Sequence, residues 1–94
     1  MFIVNITYIK TLEEIDSYIS AHIEYLEAQY AKGNFIASGR KVPREGGVIL
    51  SKMDSKVELK KVLAEDPFKK AGVAKYEIIE FIPSMTASGF ENLI

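Results

Sequence analysis

The chain has one histidine, His22, and no cysteine, so the chemistry open to it is narrow. Cysteine nucleophiles, disulfides and zinc-thiolate sites are excluded, and a single imidazole cannot hold zinc without a carboxylate cluster. What remains is proton transfer, for which imidazole is the side chain best matched to neutral pH. A histidine does this best when a carboxylate fixes its tautomer and steadies the protonated ring. Asp66 is the carboxylate that stands out, because Pro67 follows it directly and Gly72 lies a few residues on, in EDPFKKAGVA. Asp before Pro is a favoured N-cap and N1 pair, its carboxylate accepting from the amide of Phe68 or Lys69, worth about 1 kcal/mol. Capping and orienting an imidazole are compatible, since one carboxylate oxygen can hold the turn while the other faces the ring. Spacing alone does not bring His22 and Asp66 together.

A second constellation is SGRKVPREGG at 38–47, which holds both arginines, Arg40 and Arg44, with Lys41 and three glycines. Backbone amides and guanidinium groups in such a hairpin can hold a carboxylate or phosphate, and a solvated hairpin tip is the plainer reading for Lys41, Arg44 and Glu45. Ser38 and Gly39 sit inside a strand, where a glycine marks a close approach by a ligand or another backbone.

These residues must be positioned by recognisable elements. Residues 2–9 alternate as a strand. Thr11 and Glu14 form a capping box, and Leu12, Ile15, Ile19, Ile23, Leu26 and Tyr30 then recur as the buried stripe of a helix that Gly33 closes. At about 100° per residue, His22 lies roughly 80° from the centre of that stripe. Tyr18, Tyr25 and Gln29 share its bearing, so Tyr18 or Tyr25 is expected to line a pocket beside it. Strands follow at 34–42 and 47–53, joined through PREG with Gly46 and Gly47 free to take positive φ. Ser55 and Glu58 open a second helix over 55–65, Asp66–Gly72 form an extra short turn, and 74–82 is the last strand.

The order β-α-β-β-α-β is the ferredoxin-like split βαβ arrangement, an α+β sandwich with both helices on one face of a four-stranded antiparallel sheet. A solvated opposite face would be polar at every second position. Ile3, Ile9 and one member of each apolar pair in VIL (48–50) and EIIEFI (77–82) break that rule. A second copy packed on the open sheet face, giving a homodimer, is the expected cover.

Composition excludes other functions. A net charge of −1 offers no field for nucleic acid or an anionic membrane. The third strand, GVILSKM, lacks the aromatics of an RNA-recognition module. No GxxxxGK[ST] or GxGxxG loop occurs, so no nucleotide site, metal or cofactor is expected. The N-terminus reads as a strand rather than a signal peptide, and no apolar run could span a bilayer, which makes the cytoplasm the expected compartment.

The segments MFIVNITY, AHIEYLEAQYAKGNFIASGRKVPREGGVIL and EDPFKKAGVAKYEIIEF together resemble the YCII-related (YciI-like) family over residues 1–83, leaving 84–94 as a C-terminal tail. The resemblance implies a dimeric α+β barrel, with homodimers that in some members assemble further. It also implies a histidine–aspartate pair at an active site, at positions matching His22 and Asp66. Ser38 and Gly39 match the SG segment lining the same cleft, and Arg40 stands where members often carry proline, a change that favours an anionic ligand. Characterised relatives act on small aromatic-derived molecules such as chlorinated hydroquinones. Two expectations follow. One is a cofactor-free enzyme with His22 as general acid/base, Asp66 orienting it, and Ser38, Gly39 and Arg40 contacting a small anionic or phenolic molecule, for elimination, isomerisation or hydrolysis. The other is a dimeric protein that holds such a molecule without turning it over.

Overall fold

The computed structural model describes all 94 residues. Its elements are β1 (Phe2–Tyr8), α1 (Leu12–Ala31), β2 (Phe35–Arg40), β3 (Gly46–Ser51), α2 (Lys56–Leu63), α3 (Pro67–Ala71) and β4 (Ala74–Glu80), with a short 3₁₀ turn at Glu91–Leu93. The strands form one sheet in the order β2-β3-β1-β4, antiparallel throughout. This is the split βαβ arrangement that the order of the sequence elements predicts.

The helix signals act where they occur in sequence. Thr11 Oγ1 accepts from the Glu14 amide at 3.2 Å, and Ser55 Oγ from the Glu58 amide at 3.3 Å. Asp66 caps α3 by accepting from the Phe68 amide at 3.0 Å, and Gly72 closes it with φ of 68°, the left-handed conformation that glycine adopts without penalty.

Alternation along β1 sends Phe2, Val4 and Ile6 into the core under the helices, where Ile15, Ile49, Leu59, Leu63, Phe68 and Val73 meet them. The buried face of α1 differs from the expected stripe. Its buried residues are Ile15, His22, Tyr25 and Gln29, whereas Leu12, Ile23 and Tyr30 are exposed. The face is thus turned roughly 80° from the most apolar direction of the helix. The cause is polar pairing: His22, Tyr25 and Gln29 on this face each find a hydrogen-bond partner, which offsets the cost of burying their polar tips. Tyr25 donates to the Val62 carbonyl at 2.7 Å, and Gln29 Oε1 accepts from Asn34 Nδ2 at 2.7 Å. The displaced residues Ile19, Ile23 and Leu26 face a cleft instead.

The glycines of the β2–β3 region also differ from expectation. Gly46 and Gly47 do not take positive φ. A Cβ on Gly46 would lie 1.8 Å from the Ile6 carbonyl oxygen, so glycine is needed there for close strand approach. A Cβ on Gly39 would meet nothing within 4 Å, so the crowding expected at Gly39 belongs to Gly46.

On the sheet face away from the helices, Ile3 stands opposite Leu50 on one side and Ile79 on the other, with Val48 two residues from Leu50 along β3. Ile79 is 53% exposed. Ile9 lies beyond the end of β1 and takes no part in this face. No helix is long and apolar enough to cross a membrane.

Candidate active site

The two residues singled out by type, 44 positions apart in the chain, meet in the fold: His22 Nδ1 lies 2.8 Å from Asp66 Oδ1. The middle of α1 supplies the imidazole, and the tight turn opening α3 supplies the carboxylate. Asp66 is 0% exposed and His22 9% exposed. Oδ1 also accepts the Phe68 amide, so capping and imidazole contact share one oxygen rather than dividing between two. Oδ2 accepts from the Tyr76 hydroxyl at 2.6 Å, from the helix-facing side of β4. The carboxylate thus meets three donors on its two oxygens.

Since an ionised carboxylate only accepts, Nδ1 must carry the ring proton toward Asp66, which assigns the tautomer by chemistry. Nε2 is then the nitrogen with its lone pair available. The ring plane is fixed as well. Phe68 stacks on the imidazole at 4.0 Å between centroids and 9° between planes, and Tyr25 lies on a nearly parallel plane at 6.4 Å.

His22 lines a cleft of about 320 Å³ between α1 and the sheet. Ile19, Ile23 and Leu26 form the helix wall, Ile6, Tyr8 and Ile49 belong to the sheet, and Phe68 completes the floor. Ser38, Gly39 and Arg40 border it from β2, as their order in the sequence suggests. Asp66 is not among the lining residues, so it can act on a bound molecule only through His22.

The basic hairpin divides. Arg44 pairs with Asp16 of α1, a hydrogen bond that raises its pKa further from an already high value. Lys41 donates to Thr7 Oγ1 at 3.2 Å. Arg40 has no carboxylate partner among the ion pairs and is the hairpin cation that borders the cleft. The Ser38 hydroxyl is hydrogen-bonded to the Tyr30 hydroxyl.

Tyr18 is a correction: it is 37% exposed and does not line the cleft, because the cleft is walled by the Ile19, Ile23 and Leu26 side of α1, roughly 100° around the helix from Tyr18. Tyr25 lies beneath His22 and is held by the Val62 carbonyl rather than presented to the cleft. Burial, then the charges of Asp66 and Glu65, push its phenol well above the ordinary range. Tyr76 is pushed up further by burial, by the Asp66 charge and by its hydrogen bond to that carboxylate. Tyr8, Phe68 and Tyr76 were not legible as site residues. The one signal for Tyr76 was its parity in AKYEIIE, which sends it to the same face as Ile78. No group of three or more His, Asp or Glu side chains is placed to hold a metal ion.

A family model described as the YCII-related domain matches residues 1–82. No curated protein sequence matches the chain. Among solved structures, the fold is similar to that of 5-chloro-2-hydroxyhydroquinone dehydrochlorinase from Burkholderia phenoliruptrix AC1100, in complex with 2,5-dihydroxybenzoquinone. The match has a TM-score of 0.70 at 20% identity and covers 87% of this chain and 94% of that one. At that identity the likeness is one of fold.

Proposed function

The chain belongs to the YCII-related family, and from that premise we propose that it is a cofactor-free enzyme in which His22 performs acid/base chemistry on a small anionic or phenolic molecule. The observation that carries this reading is the 2.8 Å bond from His22 Nδ1 to a carboxylate that is 0% exposed, which commits one ring nitrogen and leaves the other for the cleft. Nε2 takes a proton from an O–H or C–H of the bound molecule, and the electron pair left behind expels a leaving group or moves within the ring. Asp66 holds the imidazolium until it returns the proton to the leaving group, to a second carbon or to an oxygen. General acid/base catalysis of this kind contributes a factor of about 10²–10⁴.

The cleft suits such a substrate. Its walls are mostly apolar, which fits a ring, and Arg40 at its border can take a carboxylate, phenolate or enolate. Ser38 and Gly39 border the cleft beside Arg40. The ligand named for the structural neighbour, 2,5-dihydroxybenzoquinone, is of this kind and serves as a first probe.

The working unit in this reading is residues 1–83 in a homodimer packed through the open sheet face into a dimeric α+β barrel, with 84–94 as an appended tail. Ile3, Val48, Leu50 and Ile79 supply the apolar surface for that contact.

The test uses 2,5-dihydroxybenzoquinone for binding and a panel of halogenated hydroxyhydroquinones for conversion, followed by halide release. Wild-type protein is expected to turn over a member of the panel, and His22→Ala to lose about 10²–10⁴-fold of that rate. Arg40→Ala is expected to weaken binding. Conversion that survives His22→Ala would overturn the reading, and binding with no conversion across the panel would favour the non-catalytic alternative.

A further inference from the structure

We propose that Tyr76 is a positioning residue that sets the strength of the His22–Asp66 hydrogen bond by occupying the second oxygen of the carboxylate. The proposal deepens the acid/base reading of His22 and rests on it. Tyr76 is on β4, in register with Ile6 on the helix-facing side of the sheet, and its hydroxyl reaches Asp66 Oδ2 at 2.6 Å. This bond approaches the carboxylate from the side opposite the cleft. His22 and Phe68 both line the cleft, whereas Tyr76 borders a separate groove with Lys60, Leu63, Lys69 and Ile78. The carboxylate therefore stands between two aromatic-rimmed surfaces and is reached by a donor from each.

Three features suit Tyr76 to this task. First, the donor set leaves the carboxylate no freedom: Oδ1 takes His22 and the Phe68 amide, and Oδ2 takes Tyr76, so its plane is fixed by three bonds. Second, the Lys69 ammonium lies 5.1 Å from the centroid of the Tyr76 ring. A cation over the ring face draws electron density from the phenol and makes its O–H a better donor. Third, the phenol stays protonated across the range in which His22 works, since burial and the Asp66 charge raise its pKa.

The consequence for His22 has a definite sign. Charge that Oδ2 shares with the Tyr76 proton is charge that Oδ1 no longer offers to Nδ1–H, because the two oxygens belong to one delocalised anion. Tyr76 therefore moderates the pull of Asp66 on the imidazole proton. A tyrosine that merely filled space beneath α3 would have no such influence.

The experiment is proton NMR of the His22 Nδ1–H resonance, which belongs to the one histidine in the chain. It needs no substrate, so its outcome is separate from any failure of turnover. In Tyr76→Phe the resonance is expected to move downfield as the bond to Oδ1 strengthens. With 3-fluorotyrosine at position 76, whose more acidic phenol donates more strongly, it is expected to move upfield. This second change preserves shape and keeps the test valid should Tyr76→Phe fold poorly. Tyr25→Phe removes the other buried hydroxyl near His22, one bonded to Val62 rather than Asp66, and is expected to leave the resonance in place. An unmoved or upfield resonance in folded Tyr76→Phe, or an equal shift in Tyr25→Phe, would overturn the proposal. Asp66→Asn reports on the pair itself: a resonance unchanged there would show that Nδ1–H is not bound to Asp66, which removes the acid/base reading as well.

Discussion

Removing the Asp66 side chain should cost far more stability than neutralising it, and the difference can be worked from the contacts. In Asp66→Ala three donors lose their acceptor at once: His22 Nδ1–H, the Phe68 amide and the Tyr76 hydroxyl. Each buried donor left unpaired costs about 1–3 kcal/mol, and the lost cap of α3 about 1 kcal/mol. These terms do not add in full, because His22 can rotate toward the cleft and water can reach the vacated space. A net loss of about 3–5 kcal/mol is the reasonable sum, in line with breaking a buried ionic pair by deleting one partner. Against the roughly 5–15 kcal/mol expected of a small domain, this is a large fraction of the total.

Asp66→Asn keeps the shape. Its carbonyl oxygen can still accept from Phe68 and His22, while its NH₂ faces a Tyr76 hydroxyl that turns from donor to acceptor. The expected loss is about 1–2 kcal/mol. Urea unfolding followed by circular dichroism gives both values, and in a thermal scan Asp66→Ala should lower Tm by at least about 12 °C. If the two variants are equally stable, and both lie within about 1 kcal/mol of wild type, then the carboxylate does not hold this site together and the reasoning fails.

Other expectations follow from the same contacts. Tyr25 and Tyr76 have folded pKa values raised above the ordinary 10.0, so above that pH the unfolded chain releases phenol protons that the folded chain keeps. The unfolded state then binds fewer protons, and stability that is complete below pH 10.0 should fall by about 1.4 kcal/mol per pH unit for each tyrosine. Urea midpoints between about pH 9 and pH 11 would show this, and Tyr76→Phe should remove its half of the slope. A flat profile above pH 10.0 would contradict the burial of these phenols. Gly46→Ala should destabilise by about 1–3 kcal/mol or more, because its Cβ meets the Ile6 backbone, whereas Gly39→Ala should leave monomer stability nearly unchanged. Equal effects in thermal melts would refute that contrast. If the chain forms the proposed homodimer, Ile79→Glu should dissociate it in analytical ultracentrifugation without unfolding the chain; a dimer of undiminished affinity would show that this face is not the interface.

How much of this was legible in the sequence depends on whether the signal is local. Thr11 with Glu14, Ser55 with Glu58 and Asp66 with Pro67 are contacts within a turn, and the structure has all three caps where the sequence puts them. The order of elements follows from such punctuation. Which face of α1 is buried was not readable, because hydrophobicity pointed to Leu12, Ile23 and Tyr30, and partners beyond the helix for Tyr25, Gln29 and His22 overruled it. That same reversal frees Ile19, Ile23 and Leu26 to wall the cleft and turns Tyr18 away from it. His22 and Asp66 were readable as residue types and, through the family resemblance, as a pair, but their contact spans 44 residues and needs the packing of α1 against α3. Tyr76 offered nothing beyond its parity on β4, since a phenol becomes a partner of Asp66 only once the sheet has formed.

In the proposed site Asp66 holds the proton of the neutral imidazole on Nδ1 and so leaves Nε2 bare toward the cleft. With a single histidine in the chain, the ¹⁵N spectrum of histidine-labelled protein reads this without ambiguity of assignment. A protonated Nδ1 and an unprotonated Nε2 are expected in the neutral ring, with that preference weakened in Asp66→Asn. A neutral ring with its proton on Nε2, the same in wild type and Asp66→Asn, would show that Asp66 does not set the tautomer.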